Sequence, residues 1–312
     1  MAMQQPINMT LTKVGLKYVQ DPSTFVAGNI FPQCPVNLLS ASFPTYPKEY
    51  WMKNEAAVRA PGTESEGGTH KRGLDTYTCE DVSFHEDVPF ENIKNDPAPL
   101  NPEKAATRRV ILKIAIKDEV DFAGDYMVTG TWGTDKTVVI GWGTPGTAIP
   151  LNDVSVARAA VKVATGYDPN TLVLSRTAFD ALTFCEQITD RLKYTTSENI
   201  TEGILARLFN VSRVIVCNTV YDSAKYGAAA VQAFVMGDSA LLLHTASSPS
   251  LEEASAGYNF TWNGYGLKGF GVRRYWREDP MAYRVEAHHY HDMKLMAADL
   301  GYFFNGPVAG GG

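Results

Sequence analysis

The densest chemistry in the chain lies near its C-terminus, where His288, His289, His291 and Asp292 follow one another almost without a gap. On a strand, residues 289 and 291 project from one face, so a His-x-His pair can aim two imidazoles at one divalent metal. A ligand set needs further donors, and no second run of His, Asp or Glu completes it, although Glu252 and Glu253 are present. Hydrogen-bonded or interface histidines are therefore expected here, with no metal and no cofactor.

Gly237-Asp238-Ser239-Ala240-Leu241 offers a different chemistry, since it looks like the nucleophile block of GDSL-type esterases. A nucleophilic serine needs a base held by a carboxylate, and no histidine in this chain has an aspartate three residues before it. The block also lies far from the N-terminus, where those enzymes carry it. Its expected role is a turn between strands at 233–236 and 241–243. Gly-x-Ser-x-Gly, His-Glu-x-x-His, a phosphate-binding loop and a dinucleotide fingerprint are absent from the sequence. No active site is expected. The competing reading is a cytoplasmic hydrolase or metal-dependent enzyme using Ser239 or the cluster at 288–292.

The elements that would position these groups belong to a chain of 312 residues, 45% hydrophobic, long enough to bury one large core or two ordinary ones. A net charge of -6 argues against a protein that grips nucleic acid by neutralising phosphates. Cys34, Cys79, Cys185 and Cys217 form no Cys-x-x-Cys pair and read as reduced thiols of a protein made in a cytoplasm. No basic-then-apolar leader opens the chain, and no window approaches the roughly 18 apolar residues of a membrane span.

The strongest single element is a long helix over residues 101–127. Asn101 is an N-cap, Pro102 suits the first helical position, and Glu103 meets the positive end of the helix dipole. At about 1.5 Å per residue it forms a rod of roughly 39 Å. Ile111, Ile114, Ala115, Phe122 and Tyr126 share one broad face that also contains Asp118, so the helix should touch partners on more than one side. Before it, residues 1–45 are interrupted by Pro22, Pro32, Pro35 and Pro44 and read as an arm laid over another surface. Residues 46–95 read as a hairpin, with strands at 50–52 and 77–87, around a polar, glycine-rich tip carrying Arg59, Glu64, Glu66, Lys71 and Arg72. A pair that buries neither face well is marginal alone and should rest on another subunit.

After the helix, a buried strand is expected at 138–140. An α/β module then spans 152–257: a helix capped by Asn152 or Asp153, a strand at 172–174, a helix at 176–191 capped by Ser175, a helix at 201–209, and strands at 214–217 and 233–236. Residues 258–312 are mainly strand and end in a glycine-rich tail that should be flexible.

In this order the elements resemble the major capsid proteins of tailed bacteriophages, whose fold is shared with the herpesvirus capsid floor and encapsulin shells. The strings DPNTLVLSRTAFDAL, NVSRVIVCNTVYDS and VQAFVMGDSALLL are similar to the strand and helix passages of that family's axial domain. The resemblance implies an α+β fold: an N-terminal arm (1–45), an extended loop (46–95), a peripheral domain with a spine helix (96–151), an axial domain (152–257) and returning strands (258–312). It implies an inter-subunit loop bearing Lys48, Lys53, Arg59, Glu64, Glu66, Lys71 and Arg72. It also implies a spine displaying Arg108, Arg109, Ile111, Ile114 and Phe122.

The implied function is a non-enzymatic shell subunit of a virion, assembled in the host cytoplasm. Its pentamers and hexamers would form an icosahedral or prolate shell enclosing double-stranded DNA without sequence-specific binding and without a membrane. An encapsulin-like nanocompartment is the alternative. Scaffolding, portal and decoration proteins are the implied partners. No charged helical segment precedes the arm, so a scaffold would be a separate protein or unnecessary. Nothing marks Lys48, Lys53 or Lys71 as a crosslinking lysine.

Overall fold

The computed structural model describes residues 20–48, 51–69, 71–95, 101–193, 200–225, 227–249, 253–266 and 268–308. The first part of the expected arm, residues 1–19, and the end of the tail, 309–312, lie outside them. The first half of the chain gives α1 (Ala27–Ile30), β1 (Gln33–Val36), β2 (Ser40–Thr45), β3 (Gly73–Thr78), β4 (Glu80–Pro89), α2 (Phe90–Asn95), α3 (Pro102–Tyr126) and β5 (Thr134–Thr137). Then come α4 (Pro150–Thr165), β6 (Thr171–Ser175), α5 (Arg176–Phe184), α6 (Glu186–Leu192), α7 (Glu202–Phe209), β7 (Arg213–Cys217), β8 (Val220–Asp222) and β9 (Gln232–Phe234). The chain closes with β10 (Ser239–Leu243), β11 (Gly257–Trp262), β12 (Phe270–Arg277), β13 (Ala282–Leu295) and β14 (Gly301–Asn305). The architecture is α+β.

The 14-residue β13 organises the first sheet. β4 pairs antiparallel with it from Ala282↔Pro89 to His291↔Glu80, while β12 pairs from Ala282↔Arg277 to His289↔Phe270. β11 continues beyond β12, pairing from His291↔Thr261 to Leu295↔Gly257, and the arm strand β1 adds in parallel to β11. Pro35 is tolerated because β1 is an edge strand. α3 packs across β4 and β13, burying Ala106, Val110 and Ile114 against Val88, Val285 and Ala287.

The second sheet has the order β5-β14-β10-β6-β7. Every residue of β6 and β10 is buried, as expected for strands covered on both faces. Alternation divides them between two cores. Leu172, Leu174, Ala240, Leu242, Tyr302 and Phe304 pack against helices α4–α7. Val173, Leu241, Leu243 and Phe303 face the other way, where they meet Ala27, Ile30 and Phe31 of the arm and Phe122 and Tyr126 of α3. Residues 27–31 are thus core, because Phe31 stacks edge-on against Phe122 and Tyr126 with ring centroids at 5.6 and 5.1 Å.

Several sequence expectations are corrected. The outgoing strand of the hairpin is β2 at Ser40–Thr45, because its partner Gly73–Thr78 sets the register; of the expected strand at 50–52, Trp51 and Met52 form a turn and residue 50 lies outside the described residues. β4 pairs with β13, so the second expected strand, 77–87, is divided between hairpin and sheet at Cys79, whose N–H donates to Leu39 O at 2.8 Å. The expected strand at 138–140 falls instead at Thr134–Thr137, where β14 supplies its partner. The expected strand at 233–236 shortens to Gln232–Phe234, which pairs with β8. The helix at 176–191 breaks at extended Cys185, which caps α5 and opens α6. α4 begins at Pro150. Asp153 therefore lies inside it and is used otherwise, accepting from Lys136 Nζ at 2.7 Å and Trp142 Nε1 at 3.1 Å. Among the described residues, no helix is long and apolar enough to cross a membrane.

Gly301 lets β14 pass close to a ring from the first half of the chain. A Cβ there would sit 1.9 Å from Cε3 of Trp132, a buried ring held by its Nε1 donating to Tyr126 O at 2.7 Å. Gly301→Ala should therefore cost roughly 1–3 kcal/mol by overpacking, read as a lower denaturation midpoint with an unchanged slope.

Candidate functional site

The β2–β3 pair is a two-stranded ribbon running from Ser40↔Thr78 to Thr45↔Gly73, with residues 46–72 at its far end. Its base is anchored on this chain: Phe43 and Tyr77 stack on Phe260 at 5.6 and 4.6 Å, and Lys294 Nζ bonds Asp75 at 2.7 Å. Beyond the base, every described residue from 51 to 72 is exposed, including Trp51, Met52 and Val58. Lys53, Arg59, Glu64, Glu66, Lys71 and Arg72 all lie on this exposed segment. Arg72 sits 5.8 Å over the Tyr46 ring, and Lys48 forms an ion pair with Asp299.

Along α3, the five spine residues separate by face. Ile114 and Phe122 are buried, while Arg108 is exposed and Arg109 pairs with Glu86 at 3.1 Å. Ile111 is 38% exposed and leaves the face it was expected to share, because the buried line follows Val110, Ile114, Phe122 and Tyr126. That line also holds Glu119, which is 1% exposed. Its Oε1 accepts from the backbone N–H of Val26 and from that of Ala27 at 2.7 Å, and the Cys217 thiol donates to Oε2 at 3.4 Å. Burial raises the Glu119 carboxyl above its ordinary value against the lowering effect of those N–H groups. Burial also pushes the Cys217 thiol up to about 12, so it remains a donor. Arg213 ties the same stretch from outside, donating to Asn29 O at 3.2 Å and Ile30 O at 3.0 Å. The sequence held a trace of this latch: a carboxylate three residues before Phe122, within the buried stripe.

The C-terminal histidines divide between the faces of β13. His288 meets Asp81 through Nδ1 at 2.9 Å and the Arg273 guanidinium through Nε2 at 3.3 Å. Asp292 accepts from Thr78 N–H at 2.9 Å, so it serves the hairpin base. His289 and His291 face α3, with ring centroids at 4.1 Å, and there Asp118 joins them. Burial lowers His291 below the ordinary imidazole value.

Ser239 is 4% exposed. Its hydroxyl donates to Met236 O at 2.7 Å, while the Asp238 carboxylate accepts from Val308 N–H at 3.0 Å. The block is a turn entering β10, and the structure does not bring an imidazole to it among these bonds.

No family model matches the chain, and no curated protein matches it either. Solved structures do. A phage-related protein from Bordetella bronchiseptica is 24% identical, covering 92% of this chain and 94% of its own at a TM-score of 0.70. The capsid of Myoviridae phage XM1 is 13% identical over 93% of this chain and 95% of its own, with a TM-score of 0.56. The encapsulin of the holo-SrpI complex from Synechococcus elongatus is 11% identical over 99% and 96%, with a TM-score of 0.51. The ribbon, the long helix and the two sheets thus make up a chain with the fold shared by these phage capsid and encapsulin structures.

Proposed function

We propose that this chain is a virion shell subunit. It assembles through its exposed ribbon and axial helices into pentamers and hexamers of an icosahedral or prolate shell around double-stranded DNA, and it has no enzymatic role. The observation that carries the reading is apolar surface that one chain leaves uncovered. Val163 is 86% exposed, Phe184 80% and Val139 77%, and Val156 lies two helical turns before Val163 on the same side of α4. Together with Trp51, Met52 and Val58 on the ribbon, these residues suit burial against neighbouring copies. A net charge of -6 suits a container that encloses DNA without gripping it. Assembly in a host cytoplasm, with a separate scaffold and with portal and decoration proteins, belongs to the same proposal.

Electron microscopy of the chain expressed alone and with candidate scaffolds tests it. Closed shells or rings of five or six are expected; a monomer under every condition would overturn it. Phe184→Asp combined with Val163→Asp should leave thermal stability within about 0.5 kcal/mol, as for exposed sites, and abolish rings and shells. Normal particles from that pair would remove the axial helices from the interface. The encapsulin likeness, which spans almost the whole of both chains, supports a second reading, a protein-filled compartment. Nuclease-protected DNA inside particles from infected cells favours the virion, and protein cargo favours the compartment.

A further inference from the structure

The seam between α3 and β13 holds a set of metal-ligating groups that its own hydrogen bonds leave partly unused. Asp118 comes from the spine helix, and His289 and His291 come from the strand beneath it, where a spacing of two puts both imidazoles on one face. One atom from each lies within 4.8 Å of the others. Asp118 Oδ2 meets His289 Nδ1 at 2.9 Å, which accounts for one oxygen and one ring nitrogen. Asp118 Oδ1 lies 3.7 Å from His291 Nε2, too far for a hydrogen bond. Oδ1 is buried with no partner, as is Nδ1 of His291. The His291 side chain is 7% exposed, so solvent does little to satisfy it. An orphaned buried carboxylate oxygen is costly, and a cation between it and the two imidazoles would remove that cost.

We propose that Asp118, His289 and His291 bind one divalent first-row transition ion, with Zn2+ as the ion best suited to two imidazoles and a carboxylate. Imidazole donors favour Zn2+ and its neighbours over Mg2+ and Ca2+, which take oxygen ligands. Bonds of about 2.0–2.2 Å to a common ion require the donors to draw together slightly, which small side-chain rotations supply. Asp118 and His289 are 16% and 17% exposed, leaving a side open for entry and for water as a further ligand. The ion would join the middle of the spine to the sheet's central strand, adding to the His289–Asp118 hydrogen bond and to the apolar contact of Val110, Ile114 and Ala287. His288, on the opposite face with Asp81 and Arg273, takes no part.

The test uses the untagged full chain, stripped with EDTA and titrated with Zn2+ by calorimetry, with the bound metal counted by mass spectrometry and Co2+ absorption as a spectroscopic check. One ion per chain is expected, with a rise in Tm as metal is added. Asp118→Ala and His289→Ala should each weaken binding by more than the roughly 10–100-fold that loss of an outer partner costs, and abolish the Tm rise. His291→Gln keeps a polar group in the buried position and should do the same. His288→Ala should bind Zn2+ within about threefold of wild type, well short of that loss. Absence of stoichiometric binding, or equal binding by His289→Ala, or equal loss in His288→Ala, would overturn the proposal. None of these outcomes depends on whether the chain builds a shell.

Discussion

Glu119→Ala should loosen the arm from the body and lower stability by roughly 2–4 kcal/mol, since it leaves the buried N–H groups of Val26 and Ala27 without an acceptor. Proteolysis should then cut near residues 20–31 before it cuts the second sheet and its helices. Glu119→Gln separates hydrogen bonding from charge, because it keeps an oxygen for both N–H groups. The native carboxyl is raised by burial above its ordinary 4.5, so the folded chain holds this proton more tightly than the unfolded one. Its contribution is therefore most favourable at and below about that value and declines as pH rises above it, levelling once the native carboxyl has ionised. Wild-type stability minus that of Glu119→Gln should fall across this window. A difference that stays flat with pH would mean that the Glu119 carboxyl holds its proton equally tightly folded and unfolded, so that burial does not raise it.

The second large effect is on assembly. Replacing residues 61–71 with a short Gly-Ser link should leave the β2–β3 pair intact, since its pairing ends at Thr45↔Gly73 and Phe43 and Tyr77 still stack on Phe260. Long loops close at little entropic cost, so shortening this one should change Tm slightly. Shell yield in the microscope should fall to background, because those residues make no described contact that folding needs and present Glu64, Glu66 and Lys71 outward. Particles of normal size and number would mean that the ribbon's tip is not part of the contact between subunits.

Much of this was legible in local chemistry. Asn101 and Pro102 locate the start of α3, and the helices and strands between residues 150 and 243 follow from their caps and buried runs within a few residues. What escaped depends on partners distant in sequence. SASFPT reads poorly as a strand until Gly73–Thr78 pairs with it. Cys185 lies in an unbroken helical pattern, and only the structure shows it extended between α5 and α6. Glu119 looked like one more charge on a long helix, though its partners stand 93, 92 and 98 positions away. Asp118 was visible as an interruption in an apolar face. That it faces His289 and His291 is set by how α3 lies along β13, which neither segment encodes alone.

The return strand of the ribbon enters β4 after a single intervening residue, and β4 is held to β13 over ten facing pairs from Pro89 to Glu80. Tension applied at the tip therefore runs along the strand axis, and ladder bonds, which lie across that axis, are loaded together in shear and not peeled one at a time. A pull from a neighbour would be spread over the whole sheet and the spine behind it. The ribbon is thus mounted as a tensile strap, and forced extension of a single chain should show the ribbon straightening at low load long before β4 tears from β13.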